Sequence, residues 1–99
     1  MKYNYEYKIK GKDYFLNNLR GFSVKYLSPT NNLGSRVKIT DTRHKKSVVL
    51  GYDYSIGDIT KQAIKFLEDK EISINGMTNN ETTQEMKLLS LDFSTQIKD

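Results

Sequence analysis

The chain has 99 residues, no cysteine, 36% hydrophobic and 28% charged residues, and a formal net charge of +4. That length bounds a single domain over 1–99. The missing cysteine excludes a disulfide framework and any thiolate metal site, and the longest apolar run, Val48-Val49-Leu50, is far too short to cross a bilayer.

Residues 2–10 alternate. Tyr3, Tyr5, Tyr7 and Ile9 take one side and Lys2, Asn4, Glu6, Lys8 and Lys10 the other. Period two with aromatics predicts a strand with one wet face, its tyrosines half-buried in packing. Lys10-Gly11-Lys12-Asp13 is a turn candidate, Tyr14-Phe15-Leu16 a short return strand, and Asn17-Asn18 and Arg20-Gly21 loop. Phe22 to Leu27 is the next strand, ended by Pro29, which cannot donate to a ladder. A polar loop over 28–35 leads to a strand from Arg36 to Thr40, with Val37 and Ile39 inward and Arg36 and Lys38 outward. A basic connection, Asp41 to Lys45, leads to a strand over Lys46 to Leu50, whose unbroken Val48-Val49-Leu50 predicts burial on both faces.

One helix is expected over 56–70. Ser55 is the expected N-cap, with Asp58 completing a capping box, and Ile56, Ile59, Ala63, Phe66 and Leu67 fall on one stripe. Ile72-Ser73-Ile74 reads as a strand start and Asn75-Gly76 as a hairpin turn. Residues 79–83 read as loop or helix cap. Met86 to Phe93 fits neither period cleanly and is assigned to a strand rather than a short helix. The expected architecture is α+β: a small antiparallel sheet of four to five strands packed against one main helix. Residues 1–21 form an N-terminal strand or extension, 22–76 a β-β-β-α-β core, and 77–99 a tail.

Catalytic constellations are sparse. The single histidine, His44, sits among Arg43, Lys45 and Lys46, and reads as an exposed turn residue. Glu68-Asp69-Lys70, with Asp53 or Asp58, is the nearest approach to a metal-dependent nuclease. Two-metal chemistry needs carboxylates that converge on rigid elements, and these are spread along a helix. The reading is therefore a binder and not an enzyme, with no metal and no cofactor.

Charge carries the binding expectation. Residues 1–50 hold eleven Lys/Arg against three Asp/Glu, net +8, and residues 51–99 hold five against nine, net −4. Such asymmetry points to nucleic acid. Lys25, Arg36 and Lys38 are expected on one sheet face, with Arg43, Lys45 and Lys46 as a basic connection at one end, a combination that suits RNA or single-stranded DNA. In the loop, Thr30, Asn31 and Ser35 with Gly34 and Arg36 have the chemistry to hold a phosphate, or to close a structural turn.

Residues 26–38 (Tyr26-Leu27-Ser28-Pro29-Thr30-Asn31-Asn32-Leu33-Gly34-Ser35-Arg36-Val37-Lys38) and 47–55 (Ser47-Val48-Val49-Leu50-Gly51-Tyr52-Asp53-Tyr54-Ser55) resemble a family of small proteins carried on bacterial phages and plasmids. The similarity spans roughly 22–76, with Gly51 where a proline is expected. The resemblance implies a mobile-element setting in the host bacterial cytosol. It implies an inhibitor of a CRISPR-type effector nuclease, binding the effector or its guide RNA (an anti-CRISPR protein). The alternative is a general RNA- or single-stranded-DNA-binding accessory protein. Residues 1–21 lie outside the similarity.

Overall fold

The computed structural model describes residues 3–80 and 85–97. In chain order these form β1 (Tyr3–Ile9), β2 (Lys12–Asn18), β3 (Arg20–Leu27), β4 (Arg36–Asp41), β5 (Lys46–Gly51), α1 (Ile59–Asp69), β6 (Gly76–Asn80) and β7 (Glu85–Ser90). The fold is α+β, as expected. A five-stranded antiparallel sheet of order β5-β4-β3-β7-β6 carries the helix on one face, and β1 and β2 form a separate two-stranded sheet.

Strand alternation sorts the large sheet into two faces. Phe22 and Val24 of β3, Val37 and Ile39 of β4, and Leu88 of β7 point to the covered face, where Ala63 and Leu67 of α1 pack on them. The helix begins one residue after its cap. Asp58, not Ser55, is the N-cap, its Oδ1 accepting from the Thr60 and Lys61 amides, while Ser55 instead donates to Asp53. Gln62 is buried and staples the helix to the end of β5, accepting from Asp53 N and donating to Gly51 O. The helix stops in a Schellman turn, with Ile72 N donating to Leu67 O and Glu71 N to Glu68 O. Glu71 takes the left-handed conformation there, and the next residue, Ile72, drops into the core.

Several expectations are corrected. Arg20-Gly21 opens β3 and Asn17-Asn18 ends β2, so both dipeptides are strand and not loop. β5 is an edge strand, with Val49 51% exposed, so it is not buried on both faces. Val48 and Leu50 pack on the core, and Val49 simply faces out. Asn75-Gly76 is not a hairpin turn: residues 72–75 are irregular, and β6 starts at Gly76. The strand expected after Met86 is β7, but it is no tail. It lies beside β3 at the heart of the sheet. Of the expected loop over 79–83, residues 79–80 belong to β6 and the rest lie outside the described residues, as does Lys2 of the first strand.

The first hairpin departs most from expectation. Its two-residue turn has both Lys10 (φ 52°) and Gly11 (φ 78°) left-handed, the geometry whose twist matches the flanking strands. Every residue from Tyr5 to Tyr14 is exposed, so both faces are wet rather than one. Tyr5, Tyr7 and Tyr14 find no core. The radius of gyration is 15.9 Å, against about 13 Å for a compact domain of this length. The hairpin accounts for the difference by standing off the main sheet. Among the described residues, no helix is long and apolar enough to cross a membrane.

The core and the hairpin are thus energetically separate. Leu88→Ala, at a fully buried position between β3 and α1, is expected to cost about 2–5 kcal/mol in denaturant unfolding. A chain beginning at Leu19 is expected to unfold cooperatively with a midpoint close to that of the full chain. A collapse of its thermal transition would show that the hairpin is part of the folded core.

Candidate nucleic-acid interface

Two clusters of charge emerge, one buried and one open. The buried cluster centres on Arg20, 2% exposed at the start of β3. Its guanidinium donates to both oxygens of Asp41 at the end of β4, to Asp92 O at 3.0 Å and to Thr95 O at 2.6 Å, and it lies 4.6 Å above the Phe22 ring. Asp41, also buried, accepts as well from the Arg43 and His44 amides and from His44 Nδ1 at 2.8 Å. His44 is therefore not an exposed turn histidine. It is half-buried and pinned, and because a carboxylate only accepts, Nδ1 is the protonated nitrogen. Burial alone would raise the Asp41 carboxyl; the hydrogen bonds from Arg20 and His44 outweigh it and hold the group below its ordinary value of 3.8. Every lone pair of Asp41 is engaged, which leaves none for a metal or a substrate proton. This cluster is a structural clamp.

The nuclease candidates do not converge. Asp53 and Asp58 cap turns at the start of α1, and Glu68 and Asp69 are exposed at its end, a helix length of about 16 Å away. Hydrogen bonds from the Ser55 hydroxyl and amide lower Asp53, and the Thr60 amide lowers Asp58, as expected of caps. Among the described residues no group of three or more His, Asp or Glu is placed to hold a metal.

The open cluster lies on the sheet face opposite the helix. Register puts Lys25 of β3 directly across from Lys38 of β4, and Ser23 across from both Thr40 and Lys87 of β7. Lys25, Lys38 and Lys87 are thus near neighbours on three adjacent strands. Thr40 and Ser47 bond across the next pair at 3.1 Å. Among the described side chains no carboxylate pairs with these three lysines. Two like charges directly opposite on a sheet oppose folding, so the arrangement is not there for stability. Arg36 stands at the end of the same face, across from Leu27. Its Nε donates to Gly34 O at 3.2 Å, so it also braces the preceding loop.

The remaining sequence candidates divide. Arg43 stacks 4.9 Å from the Phe93 ring and Lys46 sits opposite Asp41, so with Lys45 they occupy the far end of the β4–β5 hairpin, a strand length from Arg36. The six basic candidates do not make one patch. Thr30 closes a turn by accepting from the Asn32 and Leu33 amides, and Ser35 bonds the Tyr26 hydroxyl at 2.7 Å; Asn31 is exposed. The loop is a structural turn. Missed in the sequence were Lys87, which sits in a strand of uncertain period, and a tyrosine cluster. In that cluster Tyr52 packs edge-on against both Tyr26, at 6.0 Å, and the exposed Tyr54, at 4.8 Å, in a shallow groove beside Ser35 and the start of α1. No protein-family model matches the chain, nor does any curated protein or solved structure.

Two outcomes follow for the clamp. Asp41→Asn leaves Arg20 buried without its counter-charge and is expected to cost about 3–5 kcal/mol. Because the folded Asp41 carboxyl sits below its unfolded value, its contribution is complete above about pH 5 and fades as pH falls through the folded value. Urea titrations from pH 7 down to acid are expected to show a steeper loss for the parent than for Asp41→Asn; parallel curves would contradict this.

Proposed function

We propose that the protein is a non-enzymatic binder of RNA whose contact surface is the open face of the five-stranded sheet. The observation that carries the reading is the Lys25–Lys38–Lys87 cluster. It concentrates positive charge on three adjacent strands, with a like-charged pair directly opposed and no ion pair to a carboxylate among the described side chains. A polyanion relieves that repulsion and releases its counterions on binding. Ser23, Thr40 and Ser47 between the lysines add hydroxyls for phosphate or 2′-OH contact. Arg36 extends the surface at one end. A flat sheet face suits an unpaired strand better than a duplex groove.

The resemblance of residues 22–76 to phage and plasmid proteins supports a particular role for this binder. It would be a stoichiometric inhibitor of a CRISPR-type effector nuclease, seated on the effector through its guide RNA. The same face would serve a general RNA- or single-stranded-DNA-binding accessory protein. Nuclease-treated and untreated pull-downs from the host separate the two: a defined effector complex supports the inhibitor, and a broad RNA spectrum supports the accessory protein.

With four cations engaged, log K against log salt is expected to fall with a slope of about −3 for a single strand. Lys25→Glu with Lys38→Glu should weaken binding at low salt and reduce the slope by about 1.4. The single Lys25→Glu should raise thermal stability, by about 0.2–1 kcal/mol, because it turns a repelling cross-strand pair into an attracting one. Unchanged RNA affinity in the double variant would sink the reading.

A further inference from the structure

We infer that the β1–β2 hairpin is a second nucleic-acid contact, an arm that stacks unpaired bases on its tyrosines. The inference deepens the RNA-binding reading and rests on it, but uses different residues and a different kind of interaction. The hairpin is a two-stranded sheet with both faces in water, a structure only marginally stable without something to lie against. Register sorts its described side chains. One face carries Tyr5, Tyr7, Ile9 and Tyr14, with Tyr7 directly across from Tyr14 and Ile9 across from Lys12. These apolar groups are 36–55% exposed. Both described carboxylates, Glu6 and Asp13, fall on the opposite face.

The aromatic face therefore has rings and one cation, and no acid among its described side chains. Tyr5 and Tyr7 are near parallel, 22° between planes and 6.3 Å between centroids. That separation matches the repeat of side chains on one side of a strand, about 6.6 Å, which gives successive bases of an extended strand successive rings. Lys12 Nζ stands 5.2 Å from the Tyr14 ring, beside the path a phosphate would follow. Lys10 adds charge at the turn.

A second copy of the chain fits less well. Packed face to face, the four half-exposed side chains of each copy would bury roughly 800 Å² in all. A stable interface takes about 1,200 Å² or more. Such packing would also bring each copy's Lys12 onto an apolar face without a counter-charge.

The test compares two polyanions on the full-length protein: an oligouridylate of about 12 nucleotides, which has bases to stack, and heparin, which has none. Tyr7→Ile with Tyr14→Ile keeps residues that favour strands but removes the rings; Tyr7→Phe with Tyr14→Phe keeps the rings. The isoleucine variant is expected to lose about fivefold or more per ring in oligouridylate affinity, with heparin affinity unchanged, and the phenylalanine variant to bind as the parent does. Tyrosine emission, unobscured because the chain has no tryptophan, should be quenched by oligouridylate and not by heparin. Parent-like oligouridylate binding by the isoleucine variant overturns the inference. So does an equal loss for both polyanions, or a parent dimer that the isoleucine variant converts to monomer. If the lysine-reversed sheet variant binds oligouridylate normally while the isoleucine variant does not, the sheet-face reading falls and the arm stands.

Discussion

A guanidinium shut away from water is tolerable only if each of its donors is met. Arg20 meets that condition by drawing three separate pieces of chain to one point: β3, the end of β4, and the irregular segment around Asp92 and Thr95; His44 joins them through Asp41. Among the described residues no buried side-chain nitrogen or oxygen lacks a partner. The consequence reaches well past the ion pair. Held by Arg20, residues 91–97 turn back over the covered face and put Phe93 and Ile97 into the core. Asp41 cannot be exchanged for an apolar residue of similar size without orphaning the amides of Arg43 and His44. The clamp therefore holds one end of the sheet in a single register.

Register in turn decides which residues face out. A slip of β3 by one position against β4 would send Phe22 and Val24 to water and Lys25 inward. The clamp at the Arg20–Asp41 end and the stripe of α1 on the covered face both oppose that slip. The open face is what remains once those demands are met. Its lysines, facing each other across the ladder, oppose folding slightly. The hairpin follows a different logic. Among its described side chains no apolar neighbour covers it, so Tyr5, Tyr7 and Tyr14 stand in water, and its twist comes from a left-handed Lys10-Gly11 turn.

Local pattern made much of this fold legible. β3 and β4 announce themselves by alternation, and α1 by its apolar stripe, because each buries one face and its period survives in the sequence. What failed to show had non-local causes. Arg20 reads as a polar loop residue until Asp41, twenty-one positions away, is placed beside it. β7 sits between two strands, so its apolar residues blur the period, and Lys87 is hidden in it. The cap moved from Ser55 to Asp58 because Asp53 holds the Ser55 hydroxyl. The first hairpin shows the reverse error: a clean alternation implied a buried face, and the chain provides nothing to bury it. The paired lysines were half legible. Lys25 and Lys38 share a face as expected, but the turn cations at 43–46 stand apart from them.

The account comes down to one face of a sheet and one face of a hairpin meeting the same unpaired strand. The most direct measurement is a titration of the isotope-labelled full chain with oligouridylate, followed amide by amide in NMR spectra. The account predicts shifts along β3 and β4 at Lys25 and Lys38, at Lys87, and along the hairpin at Tyr5, Tyr7 and Tyr14, with the outer side of α1 silent. Shifts confined to α1 or to the 43–46 turn, or no shifts at low salt, would contradict it.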